Sequence, residues 1–244
     1  MIDLHSHVLP GLDDGAANLA ESLAICDAAA ADGVEVLAAT PHVRGHDYPT
    51  SPEQMEDALA ILRAAHPAVD IVAGGELDLD EVDRPKGELA RFGLGGSSYL
   101  LVEMPYVGWP IDLAERLFRL RLQGFGAILA HPERNPDVQE QPERLAPLVE
   151  SGTLVQLTAA AVDGRLGKRT QRCARTLLDL ELAHLIASDA HAPDVRAIGL
   201  SGAATAVDDA DLARWLTQDV PRAILDDAET PPRPEGRPRR RFFR

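Results

Sequence analysis

The chain has 244 residues, 45% hydrophobic and 26% charged, which suits one large soluble α/β domain with a full core. Its formal charge is −15, from 24 basic and 39 acidic residues, which argues against nucleic-acid binding because that needs a basic footprint. An acidic protein also repels an anionic substrate unless bound divalent cations supply the local positive charge.

The two cysteines, Cys26 and Cys173, fall in helical patterns with no Cys neighbour at zinc-site spacing. They read as small buried hydrophobes in a reducing compartment. The start Met1-Ile2-Asp3-Leu4-His5 has neither the basic nor the apolar stretch of a secretion signal, and no apolar run approaches membrane-spanning length. The expectation is a soluble cytoplasmic protein that does not span a membrane.

Strand and helix signals alternate along the chain. Ile2–Val8 is an apolar strand, and Ala-rich Leu19–Asp32 is a helix stopped by Gly33. Val34–Ala39 is a strand running into Thr40-Pro41-His42. Pro52–Ala65 is a helix, with Ser51 as its N-cap and Pro52 in its first turn. Val69–Ala73 leads into Gly74-Gly75-Glu76, and Tyr99–Val102 leads into Glu103. Helix Ile111–Gln123 precedes strand Gly126–Ala130, which runs into His131-Pro132-Glu133-Arg134. Helix Pro142–Ser151, strand Leu154–Leu157 and helix Lys168–Leu180 follow. Strand His184–Ala187 then enters Ser188-Asp189-Ala190-His191. Asp208–Thr217 is the last helix, with the apolar Ala223-Ile224-Leu225 after it. Strict alternation implies parallel strands, and both a closed barrel and an open doubly wound sheet satisfy it.

His5 and His7 stand two apart at the end of the first strand, so they share a face and can clamp a metal. Alone this pair is weak evidence. Its weight comes from the other strand ends, where parallel barrels gather their chemistry. They carry His42, Glu76, Glu103, His131, and Asp189 with His191; Asp14 sits in the first loop. Five of the chain's 8 histidines are in this set. The sixth strand offers only Thr158. Of the remaining histidines, His66 closes a helix, His184 packs at a strand start, and His46 lies near enough to His42 to meet substrate.

Five imidazoles and four carboxylates exceed the roughly three protein ligands of one catalytic zinc. They suit two or three ions bridged by a carboxylate such as Glu76, and mixed N and O donors favour Mn, Fe or Zn over Mg or Ca. Such a cluster clamps phosphoryl oxygens and activates a hydroxide as nucleophile. Arg134 offers a planar fork to phosphate, against the alternative of a surface ion pair.

Other catalytic plans fit poorly. A cysteine phosphatase needs an Arg six residues past its thiol, where Cys26 and Cys173 each have an Asp (Asp32, Asp179). No Gly-x-Ser-x-Gly elbow, Walker loop or Gly-x-Gly-x-x-Gly is present. The tail 229–244 holds six Arg, two Glu and four Pro, net +4, so residues 1–228 carry −19. It reads as a disordered, solvated terminus, with an acidic partner or anionic lipid as the alternative.

The strings Asp3-Leu4-His5-Ser6-His7-Val8-Leu9-Pro10-Gly11-Leu12-Asp13-Asp14-Gly15-Ala16, Ala39-Thr40-Pro41-His42, Gly75-Glu76, Leu101-Val102-Glu103-Met104-Pro105, Ala130-His131-Pro132-Glu133-Arg134-Asn135, Gly164-Arg165-Leu166-Gly167-Lys168 and Ser188-Asp189-Ala190-His191 resemble the polymerase-and-histidinol-phosphatase (PHP) superfamily. More narrowly, they resemble the tyrosine-protein phosphatases of bacterial capsule and exopolysaccharide clusters. The resemblance covers about residues 1–200. It implies an α/β fold, a distorted (β/α)7 barrel over residues 1–228, and three metal ions, typically manganese. It implies His5, His7, Asp14, His42, Glu76, Glu103, His131, Asp189 and His191 as ligands. Arg134 and Asp189 would stand at the reacting group, with Arg134 binding phosphate and assisting the tyrosinate. The implied partner is the phosphotyrosine tail of a membrane-associated tyrosine kinase that controls polysaccharide export. One departure is Asp78, where relatives often carry a basic residue, within the acidic run Leu77–Val82. A small-molecule phosphatase such as one for histidinol phosphate is the alternative enzyme, and a metal-binding module without turnover is the non-enzyme alternative.

Overall fold

A computed structural model describes residues 1–194 and 196–235. The strands are β1 (Ile2–Ser6), β2 (Val36–Ala39), β3 (His42–Arg44), β4 (Tyr48–Pro49), β5 (Asp70–Ala73), β6 (Glu76–Asp78), β7 (Tyr99–Glu103), β8 (Gly126–Ala130), β9 (Leu154–Thr158) and β10 (Leu185–Ala187). Helices Leu19–Ala31, Pro52–Ala64, Leu113–Leu122 and Lys168–Asp179 connect them. Local chemistry starts these helices where expected. Asn18 caps the first, and Ser51 with Gln54 forms a reciprocal capping box on the second.

The strands form two ladders, β1-β2-β5 and β10-β9-β8-β7-β6-β3-β4, parallel throughout except for the β3–β4 hairpin. The ladders belong to one barrel. β2 and β3 are a single chain path broken at Thr40-Pro41, and β5 and β6 are a second path broken at Gly74-Gly75. The ring closes through a Ser6–Ala190 bridge, with His7 N donating to Ala190 O at 2.8 Å and Asp189 N donating to His5 O at 2.8 Å. Seven strand paths and their helices thus make the distorted (β/α)7 barrel.

The two breaks have physical causes. Pro41 has no N–H for a ladder. At Gly75 an added Cβ would lie 2.6 Å from Phe92 Cδ1, and at Gly74 2.8 Å from Leu94 Cδ2. Phe92 and Leu94 are fully buried, so the chain must pass close over them. Beyond the breaks the ladder resumes with His42 opposite Glu76, joined by Glu76 N donating to Pro41 O at 3.0 Å. The sequence reading ended these strands at Ala39 and Ala73, and the short continuations carry the chemistry.

Two expected helices are interrupted. Residues 142–151 split into a 3₁₀ turn, Pro142–Leu145, and a helix, Ala146–Glu150, that has Pro147 in its first turn. The last helix runs as Ala210–Arg214, a π segment Trp215–Asp219, and Val220–Leu225. Pro221 cannot donate to Thr217 O, which removes the α-helical bond at that point. The start of the tail also differs from a solvated terminus. Trp215 Nε1 donates to Pro231 O at 3.0 Å, and Arg233 lies over the Trp215 ring. Arg233 donates to Ala183 O at 3.0 Å and Leu178 O at 2.9 Å. Residues 236–244, with five of the tail's arginines, lie outside the described residues.

His184 packs at the start of β10 as expected, its Nδ1 accepting from Val155 N at 3.1 Å. Burial, helped by the Arg233 charge, lowers its pKa to about 4. The folded value lies below the unfolded one, so the unfolded chain takes up this proton first. His184 therefore costs no stability above about pH 6.5 and weakens the fold progressively as pH falls toward 4. Denaturant titrations at several pH values should show His184→Gln becoming less destabilising relative to wild type by about 3 kcal/mol across that window. A parallel pH dependence in the two proteins would contradict this.

Candidate metal centre

The chain turns sharply after β1 and delivers two carboxylates beside His7. Ala16 N donates back to His7 O at 3.1 Å, and a Cβ on Gly15 would sit 2.1 Å from the same oxygen. Only glycine permits this approach. The fold-back places Asp13 Oδ2 at 2.7 Å from His7 Nδ1. It places Asp14 Oδ1 at 3.2 Å from His191 Nε2 and 3.5 Å from His42 Nε2.

Glu76 is the hub. Its Oε2 lies 2.8 Å from His42 Nδ1 and 3.4 Å from both His5 Nε2 and His7 Nε2, and its Oε1 lies 2.7 Å from His131 Nε2. Asp189 closes the opposite side, with Oδ1 at 3.4 Å from His5 Nε2 and 3.2 Å from His7 Nε2. Glu103 reaches from the end of β7, 3.9 Å from His42 Nδ1 and 3.7 Å from His131 Nε2. All nine residues expected from the sequence converge here, and all but Asp14 are buried.

Three of the ring nitrogens turned away from the centre are engaged. His7 Nδ1 meets Asp13, His5 Nδ1 meets Gln156 Oε1 at 3.1 Å, and His191 Nδ1 donates to Asp189 O at 2.9 Å. An oxygen partner on Nδ1 puts the proton there and leaves the Nε2 lone pair aimed inward, the usual arrangement of metal-bound imidazoles. Asp13 and Gln156 were not among the expected site residues. Gln156 is what the sixth strand path contributes, a carbonyl that orients His5 in place of a ligand.

Two of the nine sit on strained backbone. His131 has φ 33° and Asp189 φ 54°, in a region few non-glycine residues occupy. Each turns its side chain inward at the point where a strand ends.

The donor set fits divalent ions. Four overlapping groups, His7-Asp14-His42-His191, His5-His7-Asp189, His5-Glu76-His131 and His42-Glu76-Glu103, each place their ligand atoms within 4.8 Å of one another. Metal–ligand bonds of about 2.1 Å put opposed ligands roughly 4.2 Å apart. Glu76 Oε2, Glu103 Oε1 and His191 Nε2 are buried with no hydrogen-bond partner among the described residues. The electrostatics agree. Burial alone would lower the His5 and His7 pKa values, yet Glu76 and Asp189 beside His5, and Asp13 beside His7, hold both above the usual imidazole range. Burial alone would raise Glu76, yet His5, His131 and His42 hold it well below the carboxylate range. The cluster calls for positive charge at its centre, which divalent ions supply as protons leave.

Among the described residues, three arginines rim this cluster. Arg134 Nη2 donates to Asp189 Oδ2, and Arg196 Nη2 reaches the same oxygen at 3.1 Å. Arg44 Nη2 donates to Glu103 Oε2, and its Nε stands 3.3 Å from Asp78 Oδ2. Arg196 was missed in the sequence because nothing local ties it to a ligand; for Arg44 a signal existed, since it stands two residues past His42 on one strand and so shares its face, as His7 does with His5. Arg44 also explains the Asp78 departure. Here the basic group stands on β3, and Asp78 on the neighbouring strand is its counterion. The rest of the acidic run is likewise paired: Asp80 with Arg116 at 3.0 Å, and Glu81 with Arg84 and with Gly45 N. His46 is exposed on the β3–β4 turn. Cys26 and Cys173 are buried, and burial pushes each thiol up to about 12, which disfavours the thiolate that a nucleophile needs.

Residues 1–225 match the family described as "Capsular polysaccharide synthesis, CpsB/CapC". The chain is 33% identical over 196 residues to the tyrosine-protein phosphatase YwqE of Bacillus subtilis, spanning 78% of this chain and 77% of YwqE. It is 28% identical over 242 residues to the tyrosine-protein phosphatase CpsB of Streptococcus pneumoniae, spanning 93% and 99% of the two chains. A crystal structure from the YwqE and CpsB pair, described as unique metal-dependent tyrosine phosphatases, matches with a TM-score of 0.85 at 28% identity, over 97% of this chain and 100% of that one. On its sequence and its fold together, the chain belongs to the CpsB/CapC family of capsular polysaccharide synthesis.

Proposed function

We propose that this protein is a metal-dependent protein-tyrosine phosphatase of capsule or exopolysaccharide synthesis, with His5, His7, Asp14, His42, Glu76, Glu103, His131, Asp189 and His191 as its metal ligands. The observation that carries this reading is the convergence of these nine residues around one buried carboxylate, with guanidinium groups at the rim. Two or three ions fit the overlapping groups, and the mixed N and O donors favour Mn, with Fe or Zn as alternatives. Bound there, divalent ions supply an acidified water and a Lewis-acid clamp on phosphoryl oxygens.

The chain's own residues do the remaining work. Asp13, Gln156 and the Asp189 carbonyl hold three imidazoles in the ligating orientation before substrate arrives. Arg134 spends one donor of its fork, on Nη2, on Asp189. That leaves donors for phosphoryl oxygens whose charge grows in the transition state, and for the departing phenolate. Arg196 donates to the same carboxylate oxygen and adds a second positive group. Together with the ions, these groups offset the repulsion that a chain of charge −15 would exert on a phosphate. No helix among the described residues is long and apolar enough to cross a membrane. A cytoplasmic enzyme meeting the phosphotyrosine tail of a membrane-associated tyrosine kinase fits that.

Purified protein should lose activity on a phosphotyrosine peptide when chelated and regain it with Mn²⁺, and it should prefer that peptide to phosphoserine peptide and to histidinol phosphate. Full activity in protein shown by elemental analysis to be metal-free would sink the mechanism. Glu76→Gln should lose metal and rate together, because one carboxylate oxygen pair serves several groups; wild-type metal content and rate would remove Glu76 as the hub.

Arg134→Lys keeps the charge and loses the planar fork, so kcat/KM should fall about 10²-fold, on the order of 3 kcal/mol, at unchanged metal content. Unaltered kinetics in the fully metallated variant would remove Arg134 from the reaction. Cys26→Ser combined with Cys173→Ser should leave kcat within a few fold; a roughly thousandfold loss in folded protein would instead indicate a thiol nucleophile.

A further inference from the structure

The chain has 3 tyrosines, and two of them stand against imidazoles of the metal centre. Tyr48 gets there because β4 folds back on β3, pairing Tyr48 with Arg44. Its ring stacks on His42, with centroids 5.5 Å apart and planes 14° apart. Tyr106 follows the end of β7, and its ring lies nearly parallel to His131, at 6.4 Å and 10°. His42 and His131 hold different oxygens of the same Glu76 carboxylate. Each tyrosine therefore lies against an imidazole that holds a different oxygen of the Glu76 hub.

Tyr106 is held in place without being covered. Asn135, itself buried, donates from Nδ2 to Pro105 O and to Gly108 O at 2.9 Å each, which pins the loop on either side of the ring to the Arg134 turn. The Tyr106 side chain remains 47% exposed, beside Val107 at 76% and with Ile111 at 101% in the same loop. A fixed, open aromatic ring next to a phosphate-handling centre is a surface for an aromatic ligand. Aromatic pairs are favourable at centroid separations of about 4.5–7 Å, and an alkyl phosphate offers no ring to make one.

We propose that Tyr48 and Tyr106 are substrate-binding residues that form aromatic walls for the phenyl ring of the phosphorylated side chain, and that they set the preference for aryl over alkyl phosphate esters. This rests on the phosphatase reading above and deepens it. The ions and arginines recognise the phosphoryl group common to both classes. The two rings act on what distinguishes them, so they contribute to specificity as a difference of affinities.

The test measures binding as well as turnover, on Mn²⁺-loaded protein of checked metal content. Calorimetry compares phenylphosphonate with methylphosphonate, and kinetics compare phosphotyrosine and phosphoserine peptides of one sequence. In Tyr48→Leu and in Tyr106→Leu, the phenyl-to-methyl binding ratio and the phosphotyrosine-to-phosphoserine ratio of kcat/KM should each fall about five- to tenfold. Tyr106→Phe, which keeps the ring, should retain both ratios. Losses shared equally by both ligand classes, or ratios that do not move, overturn the aromatic walls while leaving the phosphatase reading intact. A wild-type protein that binds neither phosphonate and hydrolyses neither peptide overturns the phosphatase reading, and the walls with it.

Discussion

Everything at the mouth of this barrel is arranged around the compensation of one buried charge. The Glu76 carboxylate is removed from water and would be costly to ionise there alone. Four imidazoles surround it, three on Oε2 and one on Oε1, and they reverse that cost. Those imidazoles are themselves shared with Asp14, Glu103 and Asp189. The result is a mesh of nitrogen and oxygen donors shared between overlapping groups, which is the donor set of a multi-ion site. Moving Glu76 would perturb two of the ligand groups at once.

A second tier of contacts makes the mesh usable. Asp13, Gln156 and the Asp189 carbonyl occupy the outer nitrogens of three rings and so decide which way the inner lone pairs point. Asp189 is both ligand candidate and anchor, since its other oxygen receives Arg134 and Arg196. Its left-handed backbone, like that of His131, is tolerated because ring closure against β1 and the surrounding ion pairs determine it. In an acidic protein, the cationic groups needed for a phosphate ester are thus gathered at one place.

The barrel's distortion serves the same end. Pro41 interrupts one strand path and Gly74-Gly75 another, at the same level, and the ladder restarts with His42 directly beside Glu76. One pleat further on, Asp78 lies beside Glu103, and Arg44 bridges the two. The fold-back of β4 then brings Tyr48 over His42. A regular barrel would have ended these strands before any of those side chains entered the mouth.

The alternation of elements, and the whole set of nine converging residues, could be read in the sequence. Parallel strands expose their ends on one face, so polar metal-type residues after successive apolar runs must meet there whatever the connecting detail. Local chemistry was equally legible where it is strong, as in the Ser51 capping box and the Gly33 stop. Other features depended on contacts between residues far apart in sequence, which no local pattern encodes. Gln156 orients His5 across 151 positions, Arg44 reaches Glu103 across 59, and Arg233 settles on the Leu178 and Ala183 carbonyls. The roles of Asp13 and Asp14 diverge for the same reason. They are adjacent carboxylates in one turn, and only the tertiary placement of His7 and His191 makes one the support of a ring and the other a ligand candidate.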